Sequence, residues 1–107
     1  MVSFSEFKQI ELKAAKIVEA EDIPGKDKLY KLKIDLGSEQ RTIVAGLKAF
    51  YSAGQLKGKT IVVVSNLEPA TIAGIKSEAM LLAAQNIEGK YSLVSVDGEV
   101  KPGTKVE

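Results

Sequence analysis

Residues 61–84 read IVVVSNLEPATIAGIKSEAMLLAA, two apolar runs that bracket a polar loop. Ile61, Val62, Val63 and Val64 form an unbroken β-branched run, and such side chains lose rotamer freedom in a helix while packing well on a pleated surface. Apolar residues on both alternating faces suit a strand covered on both sides or closed into a barrel. Pro69 and Gly74 punctuate a segment too short and too irregular for a helix, and Met80, Leu81 and Leu82 resume the apolar pattern. The intervening loop carries Asn66, Glu68, Thr71, Lys76, Ser77 and Glu78. Hydrogen-bonding groups gathered between two strands mark a candidate binding surface, although the same residues also suit an ordinary solvated loop.

Working outward from this stretch, Gly58-Lys59-Thr60 turns the chain into the Ile61 strand. The triplet is not a phosphate-binding loop: Ala53 stands where that motif requires glycine, and a strand follows it instead of a helix. Between Lys48 and Lys57 the period of two is lost, and Phe50-Tyr51 with Gln55-Leu56 predicts a short helical turn across a barrel end. Residues 41–47 form a strand joined by a hairpin at Gly37-Ser38-Glu39-Gln40 to residues 28–36. In that earlier strand Tyr30, Leu32, Ile34 and Leu36 share one face, while Leu29, Lys31, Lys33 and Asp35 share the other, so Lys31 and Lys33 project together.

A turn over residues 21–27, centred on Pro24-Gly25, separates this strand from a first one at residues 11–20. Strict alternation there sends Lys13, Ala15, Ile17 and Glu19 one way, and Leu12, Ala14, Lys16, Val18 and Ala20 the other. Ser3 and Glu6 have capping-box spacing, with Val2 and Phe7 at the staple positions, which predicts a helix over residues 4–10. Downstream, residues 91–96 read as a strand, and Asp97-Gly98 and Pro102-Gly103 as turns before an apolar end at Val106. Periodicity supports a small β-barrel. The element order is that of an all-β, five-stranded oligonucleotide-binding Greek-key barrel with a short N-terminal helix and a C-terminal β extension.

With 107 residues the chain is expected to be one domain, 1–107, large enough for a core without covalent staples. Cysteine and histidine are absent, which removes disulfides, zinc sites of the usual ligand types and Cys–His or Ser–His catalysis. The remaining carboxylates, lysines and hydroxyls fall into no recognisable catalytic spacing, so no enzyme activity, metal or cofactor is expected. Net charge is +1, but the basic residues crowd the first half, from Lys8 to Lys48. Arg41 is the sole arginine, which disfavours bidentate base reading and leaves lysine–phosphate contact as the available mode. No stretch has the apolar length of a membrane span and no export signal is visible, so a cytoplasmic location is expected.

The sequence resembles the tRNA-binding domain found at the C-terminus of methionyl-tRNA synthetases, as their separate β subunit, or as free-standing structure-specific tRNA-binding proteins. The resemblance covers almost the whole chain. It rests on Lys16-Ile17-Val18-Glu19, Pro24, Asp27-Lys28-Leu29-Tyr30, Asp35-Leu36-Gly37, Arg41-Thr42-Ile43-Val44-Ala45-Gly46-Leu47 and Leu56-Lys57-Gly58-Lys59. Val62-Val63-Val64, Asn66-Leu67-Glu68-Pro69, Gly74, Ser77, Met80-Leu81-Leu82-Ala83-Ala84 and Pro102-Gly103 complete it. The resemblance implies a barrel that grips the outer corner of folded tRNA by shape and without catalysis. It further implies a homodimer paired through residues 91–107, with a methionyl-tRNA synthetase catalytic chain as a partner. The residues it points to are Lys16, Lys28, Lys31, Lys33, Arg41 and Lys76 for phosphates, and Asn66, Ser77 and Met80 for ribose or exposed bases.

The sequence departs from this pattern at three places. Ile23-Pro24 stands where His-Pro is usual, Thr71 and Ala73 replace basic residues, and Ser77-Glu78-Ala79-Met80 replaces Ser-x-Gly-Met. A carboxylate at Glu78 repels phosphate unless it turns away. The segment Ile72-Ala73-Gly74-Ile75-Lys76-Ser77-Glu78, and Glu19-Ala20-Glu21-Asp22 followed by Pro24, look closer to the CsaA family of export-related chaperones. That resemblance implies an unfolded or signal-bearing polypeptide as ligand, held in an apolar groove lined by residues such as Phe50, Tyr51 and Met80.

Overall fold

The computed structural model describes all residues from Met1 to Glu107. Helix α1 (Phe4–Phe7) starts at the expected capping box, in which Ser3 Oγ accepts from the Glu6 N–H at 3.1 Å and the Glu6 carboxylate accepts from the Ser3 N–H. It ends well before Ile10, because none of its residues is buried and so short a helix has no packing to prolong it. Strand β1 (Leu12–Ile23) is longer than the sequence suggests and reaches β2 (Lys26–Asp35) through Pro24 and Gly25 alone. Gly25 takes φ +76°, as the second central residue of a type II turn must. The chain continues through β3 (Gln40–Ala45), α2 (Ala53–Leu56), β4 (Thr60–Val64), β5 (Ala70–Ile72) and β6 (Ile75–Ser77). Strands β7 (Met80–Leu81), β8 (Ala83–Gln85), β9 (Tyr91–Leu93) and β10 (Lys105–Val106) follow.

The main sheet runs β3-β2-β1-β4-β7, antiparallel throughout, with β10 paired to the start of β1. This is the expected all-β, oligonucleotide-binding-like arrangement, with ladders that do not close the full circle. Its inner face is filled by Ile17, Leu32, Ile34, Ile43, Ile61 and Val63, all essentially without solvent contact. Each such side chain contributes roughly 1.5–3 kcal/mol through burial. Ile61 to Val64 are buried along the whole run, as a strand covered on both sides should be. Helix α2 carries a second capping box, Ser52 with Gln55, and inserts the fully buried Leu56 into the core.

Three local features differ from the sequence reading. Between Ile17 and Glu19 the register of β1 against β2 slips, so β1 contains one extra residue, a β-bulge. Ala15 and Ile17 face the core before the bulge, and Ala20 packs against it afterwards. Glu19 therefore points outward, the reverse of strict alternation. Next, the polar loop of residues 65–79 contains the hairpin β5–β6, whose turn residues Ala73 and Gly74 have φ +52° and +78°. Two positive φ values in succession are the signature of a type I′ turn. Last, the strand expected over residues 91–96 splits: β9 pairs with β8, whereas Ser95 bridges Ile61 on β4.

The C-terminal segment folds back on its own barrel. The Gly103 N–H donates to Ala14 O at 2.7 Å, and β10 pairs with Leu12 and Lys13. Its Pro102-Gly103 turn presses on the backbone at Leu36-Gly37. A Cβ at Gly37 would lie 2.6 Å from Pro102 O, and one at Gly103 would overlap Leu36 O. Gly103 also holds φ +88°, so two independent constraints demand glycine there. Gly25 has the same sign of φ and open space around it. In urea unfolding, Gly25→Ala is expected to cost about 1 kcal/mol and Gly103→Ala more than about 2 kcal/mol. Equal costs would show that the close approach to Leu36 is not a constraint.

Candidate nucleic-acid interface

The outward face of β1–β2–β3 is built from cross-strand pairs. Across the β1–β2 ladder Lys16 opposes Asp35, Glu19 opposes Lys33, and Glu21 opposes Lys31. Across β2–β3, Lys33 opposes Thr42 and Lys31 opposes Val44. Directly opposed side chains on one face of an antiparallel pair sit within about 5.5 Å at Cβ. Lys33 Nζ and the Glu19 carboxylate are 4.0 Å apart, with both side chains about half exposed. Glu19, Glu21, Lys31, Lys33 and Thr42 line a shallow depression of about 200 Å³. The three predicted lysines Lys16, Lys31 and Lys33 are thus brought together on one solvent-facing surface, and each has a carboxylate opposite.

Other predicted site residues serve the architecture. Strand parity puts Arg41 on the same side as buried Ile43 and Ala45, and its side chain is only 24% exposed. Its guanidinium is held by the Glu39 carboxylate, with Nε to Oε1 at 2.6 Å, and donates to the carbonyls of Ser65 and Glu78. Ser77 is buried, and its Oγ accepts from the Val44 N–H at 3.0 Å. Glu78 turns its carboxylate toward the Thr42 N–H and donates its own N–H to Thr42 O at 2.9 Å. These bonds join β3 to the last residue of β6 and the residue after it, although the two strands belong to different sheets. Asn66 clamps the N-terminal segment, accepting from the Glu11 N–H at 2.8 Å and donating to Gln9 O at 2.7 Å.

Lys28 and Lys76 are exposed and form no ion pair, whereas Lys48 is paired with Asp22 at 3.0 Å. Met80 is half exposed and lines an apolar groove of about 260 Å³ with Val44, Leu67, Ile72 and Leu81. A second depression, sharing Met80 and Leu81, extends the groove to Tyr91. Phe50 and Tyr51 lie outside this lining. Phe50 meets Tyr91 edge to face at 5.6 Å, and the Tyr51 hydroxyl accepts from the Leu93 N–H. No group of carboxylates converges as a metal site would. Glu19, Glu21 and Thr42, which share the face with the lysines, are not among the site residues the sequence points to; placing them there needed the strand register.

An antiparallel barrel that offers a charged outer sheet face and an adjoining apolar groove is a small β-barrel binding domain. Residues 12–105 match the tRNA binding domain family, and the chain belongs to that family. It is 47% identical to methionine–tRNA ligase of Methanocaldococcus jannaschii over 105 residues, covering 98% of this chain and 16% of that protein. For the Pyrococcus furiosus ligase the identity is 51%, with 98% and 14% covered. The chain therefore spans under a fifth of the length of these relatives. Among solved structures, a MetRS-related protein from Pyrococcus horikoshii superposes with a TM-score of 0.94 at 36% identity, covering 100% of this chain and 98% of that one. The chaperone CsaA from Bacillus anthracis superposes with a TM-score of 0.90 at 30% identity, covering 100% and 99%.

The position of Arg41 yields a test. Arg41→Lys keeps the charge but cannot reach Glu39, Ser65 and Glu78 together. It is expected to lower unfolding free energy by about 1.5–3 kcal/mol in urea titration. Unchanged stability would mean that the internal contacts of Arg41 are dispensable.

Proposed function

We propose that this chain is a non-catalytic, structure-specific tRNA-binding module that gives a methionyl-tRNA synthetase a second contact with tRNA, as an appended domain or a β subunit. The observation that carries the reading is the family match across residues 12–105, reinforced by whole-chain similarity to methionine–tRNA ligases. The geometry is compatible in a specific way. Lys31 and Lys33 sit on a rigid sheet, where ammonium groups meet phosphates without reading bases, and the single arginine is committed internally. A surface of this kind recognises the shape of folded RNA. A second tethered contact raises the effective concentration of tRNA at the synthetase without new chemistry. Addition or fusion of the module is therefore expected to lower the synthetase KM for tRNA, and an unchanged KM would contradict that role.

Pairing of two copies through residues 91–107 belongs to the same proposal, supported by Tyr91, Val94 and Val100 remaining more than a third exposed. Sedimentation is expected to report twice the 11.5 kDa chain mass, and a single chain mass would end the dimer reading.

One observation favours a second reading. The groove around Met80 exposes Leu67 and Ile72, and it suits an apolar peptide segment of the kind implied by the CsaA resemblance. Salt separates the two. RNA binding through lysines weakens steeply as salt rises, whereas apolar peptide binding holds or strengthens. We expect folded tRNA to bind at low salt, to outcompete unfolded RNA of equal length and to weaken with added salt. Lys31→Glu combined with Lys33→Glu is expected to reduce that affinity at least about tenfold with the fold intact, since both residues are exposed. No tRNA binding at low salt would overturn the module reading.

A further inference from the structure

The charged face is electrically balanced. Lys16, Lys31 and Lys33 each stand opposite a carboxylate, Asp35, Glu21 and Glu19 respectively. Asp35 is already occupied by the Gly37 N–H at 2.8 Å, which leaves Glu19 and Glu21 as the exposed counter-charges, Glu19 within 4.0 Å of Lys33 Nζ and Glu21 facing Lys31 across the ladder. Both flank lysines rather than the core, because the bulge after Ile17 turned them outward. Surface pairs of this kind contribute little to stability, typically 0 to about 1 kcal/mol, so the fold does not depend on them. Their electrostatic effect on an approaching polyanion is larger: a compensated face has little long-range attraction, and a ligand gains only where phosphates come close enough to replace the carboxylates.

We propose that Glu19 and Glu21 are specificity-determining residues of the RNA surface, holding Lys33 and Lys31 in internal compensation until a ligand presents two phosphates to both ammonium groups at once. The proposal rests on the RNA-binding reading above. Lys31 and Lys33 are two residues apart on one strand, about 7 Å along it, and are fixed by the sheet. A pre-folded RNA holds its phosphates in place and meets this spacing in a single encounter. A flexible strand loses conformational entropy to do so while still facing the two carboxylates. The carboxylates therefore act against unstructured nucleic acid more than against folded tRNA.

The test is a set of titrations of the whole chain with bulk folded tRNA and with an unstructured RNA of equal length. Wild type, Glu19→Gln/Glu21→Gln and a control, Glu88→Lys, which changes net charge equally at the exposed β8–β9 turn away from the face, are compared. In the first variant, affinity for unstructured RNA is expected to rise at least about tenfold, and affinity for folded tRNA less. The slope of log K against log salt should steepen by about 0.7 per freed ammonium. The control should change either affinity less than about threefold. Tight tRNA binding by wild type with no gain in the Glu19/Glu21 variant, or an equal gain in the control, would overturn this inference and leave the tRNA-module reading standing. Failure of every protein to bind either RNA would overturn both.

Discussion

One extra residue in β1 governs the relation between core and surface. Had β1 kept a strict period of two, Glu19 would follow Ile17 into the barrel, and a carboxylate without a partner in that apolar interior is prohibitively costly. The bulge admits Ala20 to the core instead and turns Glu19 and Glu21 toward Lys33 and Lys31. It also bends the strand, so that its first half pairs with β4 and β10 while its second half pairs with β2. The same irregularity thus shapes the barrel and writes the charge pattern on its outer face.

Closure of the barrel is the second constraint, and side chains meet it. β3 and β6 belong to different sheets, and buried N–H groups left unpaired between them would each cost about 1–3 kcal/mol. Ser77 Oγ and the Glu78 carboxylate accept from the Val44 and Thr42 N–H groups, and the Arg41 guanidinium donates to the Ser65 and Glu78 carbonyls. This explains why a carboxylate is tolerated at Glu78 next to a proposed RNA surface: its charge is directed to the Thr42 N–H and not to solvent alone. The same closing bonds form one wall of the apolar groove, so the groove and the charged sheet face are two sides of one joint.

Much of this architecture is legible in the sequence. The alternation from Leu29 to Leu36 is regular enough to assign every side chain of β2 to its face, and the Ser3–Glu6 box marks α1. The Ser52–Gln55 box of α2 follows the same rule and was equally readable. Parity along β3 also contains the fate of Arg41, two residues before buried Ile43, although a basic residue on a strand invites a phosphate contact. Other features escape for physical reasons. A bulge is invisible to a periodic reading, because both alternating faces of residues 11–20 mix apolar and charged side chains and neither is marked throughout as the core face. The β5–β6 hairpin hides because alanine at Ala73 is an unusual occupant of a left-handed position. The pairing of each lysine with an acid depends on register, which arises from tertiary structure and not from any local stretch.

Which surface the ligand touches is read directly by backbone amide NMR of the chain titrated with folded tRNA. The expected result is a set of perturbations centred on Glu19, Glu21, Lys31, Lys33 and Thr42, fading as salt is added. Perturbations confined to Leu67, Ile72, Met80 and Tyr91, with the sheet face silent, would contradict the account and place recognition in the apolar groove.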